Sequence, residues 1–72
     1  MGRIAALGHD RRIEPLAIAG VEMHPAATEA EALAEWERLG PDIAVLILDP
    51  HALAAIGERL DERRDLLVTV LP

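Results

Sequence analysis

The side chains best suited to chemistry fall just after three short apolar segments. His9 follows the first segment, His24 ends the second and His51 follows the third, while Asp10 and Asp49 stand beside them. Imidazole and carboxylate groups ligate metals, and the carboxyl ends of parallel strands meet at the edge of an open α/β sheet where such folds bind ligands. One hypothesis is therefore a metal site formed by His9, Asp10, Asp49 and His51.

A structural interpretation of the same residues is simpler. Asp49 precedes Pro50, which is typical of a helix N-cap followed by proline at the first helical position. Asp10 fits a loop, and histidine is common in polar turns. We therefore predict a protein with no catalytic residue, no cofactor and no metal, and keep the metal site as the alternative.

Asp49 also supports a second functional hypothesis, a receiver-like signalling or ligand-binding domain. Residues 40–49 resemble the strand before the phosphate-accepting aspartate of response-regulator receivers. In that interpretation Asp49 accepts the phosphoryl group and Asp10 lies near the magnesium ion. A receiver also needs a lysine at a later strand end, and this chain contains no lysine.

The composition excludes several classes of function. Thirteen acidic residues against seven arginines give a formal net charge of −6. An acidic surface releases no counterions from nucleic acid, so we predict no nucleic-acid partner. The chain contains no cysteine and no serine, which removes thiolate metal sites and a Ser–His–Asp arrangement. Trp36 is the only aromatic residue, and its spacing with Ala32 and Leu39 predicts that it packs in the core.

Short apolar segments alternate with segments of helical period along the chain. Strands are predicted over residues 3–8, 21–24, 43–48 and 66–71. After a charged loop at residues 9–14, Pro15 opens a short helix that buries Ile13, Leu16 and Ala17 and ends at Gly20.

Two longer helices follow in the sequence. Thr28 caps the second helix, with Glu31 completing a capping box, and this helix runs to Leu39. Asp49 caps the third helix, which closes with Arg59, Arg63 and Arg64 near its negative end.

The βαβαβαβ order predicts one small α/β domain over residues 1–72. We expect a four-stranded parallel sheet of order 2-1-3-4 with helices on both faces, like the flavodoxin and receiver folds. The first helix lies on one face and the other two on the opposite face, so the last two strands are covered on one side only. We predict an exposed apolar face that binds a partner or a second copy through Val45, Ile47, Val68 and Val70.

Three segments resemble the globular N-terminal domain of the V-type (archaeal A-type) ATP synthase F subunits, which are proteins of the central rotating stalk. The first comprises residues 8–10 and, after a short gap, residues 16–23. The second runs from residues 31–33 through residues 43–53. The third is residues 67–72. Pro15 and Leu16 stand where the family commonly has Gly-Phe, and the sequence holds no counterpart of the family's C-terminal helix.

The resemblance implies a non-catalytic rotor protein. Members of this family bind the coiled-coil rotor protein of the shaft, which is called D, and take part in ATP-driven or ATP-producing ion transport. We expect a cytoplasmic protein that is peripheral to the membrane as part of its complex, since the apolar segments are too short to cross a bilayer.

Overall fold

The computed structural model describes residues 2–72. The strands are β1 Arg3–Gly8, β2 Glu22–Pro25, β3 Ile43–Leu48 and β4 Leu67–Val70. The helices are α1 Asp10–Ile13, α2 Glu29–Arg38 and α3 Pro50–Ile56, with 3₁₀ segments at Glu14–Ala19 after α1 and at Gly57–Glu62 after α3. The four strands form one parallel sheet of order β2-β1-β3-β4, which confirms the predicted α/β fold and strand order.

The first helical segment begins earlier than the sequence predicts. His9 is the N-cap of α1, and its Nδ1 accepts a hydrogen bond of 3.4 Å from the backbone N–H of Arg11, so residues 10–13 are helical and not a loop. Pro15 has no N–H to continue the α-helical pattern, and the chain tightens into a 3₁₀ segment that ends at Gly20 with φ of 77°. Because a 3₁₀ turn holds three residues, the predicted buried face breaks up: Ile13 is buried, Leu16 is half-buried and Ala17 is exposed.

Helix α2 follows its prediction closely. The Thr28 hydroxyl accepts a 3.1 Å bond from the N–H of Glu31, and the Glu31 carboxylate accepts a 2.8 Å bond from the N–H of Ala27. This differs from a strict capping box, in which the glutamate would bond to the cap residue itself. The helix buries Ala32 and Trp36, in agreement with the spacing of these residues in the sequence.

The end of the third helix differs from its prediction. The α-helical pattern stops at Ile56 and continues as the second 3₁₀ segment. Arg63 does not complement the end of this helix. Its guanidinium reaches the chain that follows α2 and donates hydrogen bonds to the carbonyls of Leu39 (3.4 Å) and Gly40 (2.8 Å).

The main core lies between the sheet and helices α2 and α3. Leu7 of β1, Leu46 and Leu48 of β3, Trp36 of α2 and Ile56 of α3 all belong to it. On the opposite face, α1 packs on β1 and β2, where Ala6 and Ile13 are fully buried. The helices therefore lie on both faces of the sheet, as predicted.

Strand register decides which apolar side chains remain uncovered. Val45 pairs with Leu67, Ile47 pairs with Thr69, and Ile4 pairs with Val45. Since side chains at matched positions of parallel strands point to the same face, these five lie on the α1 side of the sheet. We call this set the open face. Its most exposed large hydrophobic members are Leu67, with 67% of its surface accessible, and Ile4, with 45%.

The same register corrects half of the expected partner-binding set. Val68 pairs with Leu46 and packs against the main core, and Val70 pairs with Leu48 on that same side. Val45 and Ile47 are on the open face, but Val68 and Val70 are on the helix-covered face. An apolar strand shows no alternation in its sequence, so the sequence pattern could not assign its two faces.

Helix length bears on the membrane prediction. Within residues 2–72, no helix is long and apolar enough to cross a bilayer.

Candidate functional site

Asp49 lies at the carboxyl end of β3 with its side chain buried. Only 2% of the surface of Asp49 is accessible to solvent. Oδ1 accepts a 2.7 Å hydrogen bond from the backbone N–H of Ala52, and Oδ2 accepts a 2.8 Å bond from the backbone N–H of His9. One carboxylate therefore caps helix α3 and ties it to the residue that caps α1.

Gly8 makes this arrangement sterically feasible. A Cβ atom at this position would lie 2.5 Å from the Asp49 Cγ and 2.8 Å from each carboxylate oxygen. Only glycine lets the end of β1 approach the Asp49 side chain so closely. The sequence marks Gly8 as the end of a strand, but the reason for the glycine appears only when β1 and β3 are placed side by side.

The other residues of the metal hypothesis are spread over the surface. His9 and Asp10 are exposed at the start of α1, and His51 is exposed in the first turn of α3. The Asp49 oxygens are already held by backbone N–H groups. Among residues 2–72, no three His, Cys, Asp or Glu side chains are grouped so that they could hold a metal ion.

The receiver-like hypothesis needs Asp49 to be an accessible nucleophile. In the structure this carboxylate is buried, and each oxygen already accepts a hydrogen bond from the backbone. A carboxylate in this position serves the fold as a cap. The geometry therefore favours the structural interpretation of Asp49.

His24 does not join the other histidines. It lies between β2 and α2, where its ring nitrogens contact the carboxylates of Glu22 and Glu35. The sequence predicts it at a strand end, which is correct, but its side chain points toward helix α2 and not toward Asp49. Glu35 of α2 is half-buried.

Ion pairs on the surface connect neighbouring elements. The Arg3 guanidinium donates a hydrogen bond to Asp42, which lowers the pKa of the Asp42 carboxyl and raises the pKa of Arg3. Arg59 likewise lowers the pKa of Glu62 through a 2.7 Å hydrogen bond. All four groups are solvent-accessible, so these pairs are surface contacts of modest energy.

A shallow groove separates the outer surfaces of α2 and α3. It encloses about 430 Å³ and is lined by Glu29, Leu33, Ala54, Ala55, Glu58 and Arg59. Its lining combines small and aliphatic side chains with charged ones. Nothing in these residues resembles a set of catalytic groups.

The open face is the surface most suited to binding. Ile4, Val45 and Leu67 form an apolar row across three strands, and Ile47 and Thr69 continue it on the next row. Neighbouring strands are about 4.8 Å apart, so the β3–β4 part of this face is about 10 Å wide. That width matches the diameter of one α-helix with its side chains.

Comparison of the chain with protein-family models finds no match, and comparison with curated proteins finds no relative. The functional conclusion therefore depends on the residues and on their geometry.

Proposed function

We propose that this chain is a non-catalytic protein-interaction domain that docks through the open face. The observation that carries the proposal is the exposure of an apolar row on one face of a sheet whose opposite face packs against helices α2 and α3. Leu67 is 67% exposed although it lies within a strand. Burying one such leucine against a partner contributes roughly 1.5–3 kcal/mol.

The proposed partner is the coiled-coil shaft protein of a V-type (archaeal A-type) ATP synthase. The resemblance of the three sequence segments to the central-stalk family supports this identity. The physical argument is separate: the open face is apolar and about as wide as one α-helix, so it fits a helix that carries aliphatic side chains outside its own coiled-coil seam. In this role the domain contributes to ATP-linked ion transport mechanically and is attached to the membrane only through the complex.

The chemistry of the strand ends agrees with a non-catalytic role. The carboxylate best placed for catalysis, Asp49, is bonded to two backbone N–H groups. The exposed histidines at positions 9 and 51 lie at the starts of two different helices. No observation on these residues favours a receiver-like or metal-dependent activity over the docking role.

Co-elution on a sizing column tests the proposal. The chain is mixed with the coiled-coil shaft protein of the same organism, and each protein is also run alone. We expect a complex of the two proteins. If the folded domain elutes alone, the shaft is not its partner. If it elutes as a dimer by itself, it binds a second copy.

A further inference from the structure

The His24 side chain is held between two carboxylates from different elements. Its Nδ1 lies 2.8 Å from Oε1 of Glu35 on α2, and its Nε2 lies 2.7 Å from Oε2 of Glu22 on β2. The imidazole is only 12% exposed, and the side chains of Glu35 and Glu22 are 20% and 31% exposed. Both ring nitrogens are therefore in hydrogen-bond contact with an acceptor in a poorly hydrated position.

The number of protons on the ring decides whether both contacts are favourable. A carboxylate only accepts hydrogen bonds, whereas a neutral imidazole carries one N–H and one lone pair. The neutral ring can donate to Glu22 or to Glu35, and its lone pair then faces the other carboxylate. The imidazolium donates to both.

We propose that Glu22, His24 and Glu35 form a pH-sensitive clasp that fastens the edge strand β2 to helix α2. Strand β2 has four residues and pairs only with β1, so a side-chain link to α2 adds an attachment on the helix-covered side of the sheet. The clasp holds while His24 is doubly protonated and loosens when the ring becomes neutral. It lies on the helix-covered side of the sheet and is independent of docking through the open face.

Charged groups of neighbouring elements contact the two carboxylates of the clasp. Arg3 of β1 contacts Glu22 at 2.8 Å, and Arg38 of α2 lies 3.5 Å from Glu35. Arg3 is in turn paired with Asp42, before β3. The charges thus alternate in sign along one path across the surface, in the order Asp42, Arg3, Glu22, His24, Glu35 and Arg38. The nearest β1 neighbour in register, Leu7, is uncharged.

A metal-binding interpretation of the three residues does not fit. The two carboxylates contact opposite nitrogens of the ring, so they cannot converge on one ion. The hydrogen-bonded clasp is the arrangement that uses both contacts.

The sign of the pH effect follows from the groups involved. Free glutamate side chains are ionised above about pH 4.3 and free imidazole is protonated below about pH 6.5. The stabilisation requires an N–H on both ring nitrogens, so it weakens in the direction of rising pH.

Thermal unfolding of four proteins tests the clasp. The midpoints of the wild type, His24→Gln, Glu35→Gln and His51→Gln are measured at pH 5.5 and pH 8; His51 is an exposed histidine on α3 and serves as the matched control. We expect the unfolding midpoint of the wild type to be higher than that of His24→Gln at pH 5.5. This difference should be smaller by roughly 4–8 °C at pH 8. The His51→Gln protein should follow the wild type.

An advantage over His24→Gln that is equal at both pH values would overturn the proposal. Should His24→Gln fail to fold, Glu35→Gln gives the decision, because it keeps the histidine and removes one charged acceptor. The pH dependence between 5.5 and 8 should then be weaker than in the wild type. The proposal fails if Glu35→Gln keeps the full dependence. None of these outcomes depends on shaft binding.

Discussion

At the scale of single residues, Asp49 shows how a group with catalytic potential can serve the fold instead. The carboxylate is bonded on both oxygens to backbone N–H groups at the start of two helices. The sequence was sufficient to predict the cap on α3, since Asp-Pro is a helix-start signal. It could not predict the bond to His9, because that contact joins residues that are 40 positions apart in the chain.

Substitution of Asp49 should destabilise the fold in proportion to the bonds removed. We expect Asp49→Ala to lower the free energy of unfolding by about 2–4 kcal/mol, since it removes a helix cap and leaves the His9 N–H without its acceptor. Asp49→Asn should lower the free energy of unfolding by about half as much, because the amide oxygen keeps one of the two hydrogen bonds. Urea unfolding measures both values. Equal stability of the alanine variant and the wild type would contradict the structural role of Asp49.

Substitution of Gly8 tests the close approach of β1 to Asp49. We expect Gly8→Ala to lower the free energy of unfolding by about 1–3 kcal/mol, because the new methyl group collides with the Asp49 carboxylate. A chain that already carries Asp49→Ala has no carboxylate for the new methyl group to meet. In that chain Gly8→Ala should lower the free energy of unfolding by much less. A double-mutant cycle in urea gives this coupling. Identical costs in the two backgrounds would show that the collision is not the cause.

At the scale of elements, the order and type of the strands and longer helices follow from hydrophobic period, caps and glycine–proline breaks. The sequence predicted the sheet order correctly because short right-handed crossovers allow few topologies. It could not assign the faces of β3 and β4, since an apolar strand has no polar alternation to orient it. It also missed the 3₁₀ segments, because their period is close to that of an α-helix over so short a stretch.

Arg63 illustrates an element-scale contact that helical patterning does not reveal. Its guanidinium donates to the carbonyls of Leu39 and Gly40 at the end of α2 and lies 6.0 Å from the centre of the Trp36 ring. We expect Arg63→Ala to lower the free energy of unfolding by about 1–2 kcal/mol.

The matched control for this prediction is Arg64→Ala, at an exposed position next to it in the chain. Chemical denaturation should show a change within about 0.5 kcal/mol for this variant. If the two variants are equally stable, the bonds to the end of α2 contribute nothing to the fold.

At the scale of the whole molecule, the unequal covering of the sheet is the feature that bears on function. Helices α2 and α3 cover one face, while α1 and its 3₁₀ segment pack on β1 and β2 on the other. The sequence predicted an incompletely covered sheet from topology alone, because the first crossover places its helix on one face and the next two place theirs on the other. Only the strand register identifies which residues of β4 lie on the uncovered face. These are Leu67 and Thr69, and not Val68 and Val70.

The most direct measurement compares shaft binding by two variants of the same strand. Leu67→Asp places a charge on the open face, and Val70→Asp places one on the opposite side of β4, where Val70 is 41% exposed. Titration calorimetry with the coiled-coil shaft protein gives Kd for each, after circular dichroism has verified the fold. We predict that Leu67→Asp raises Kd at least tenfold, about 1.4 kcal/mol, and that Val70→Asp leaves Kd near the wild-type value. Wild-type affinity in Leu67→Asp would contradict docking through the open face.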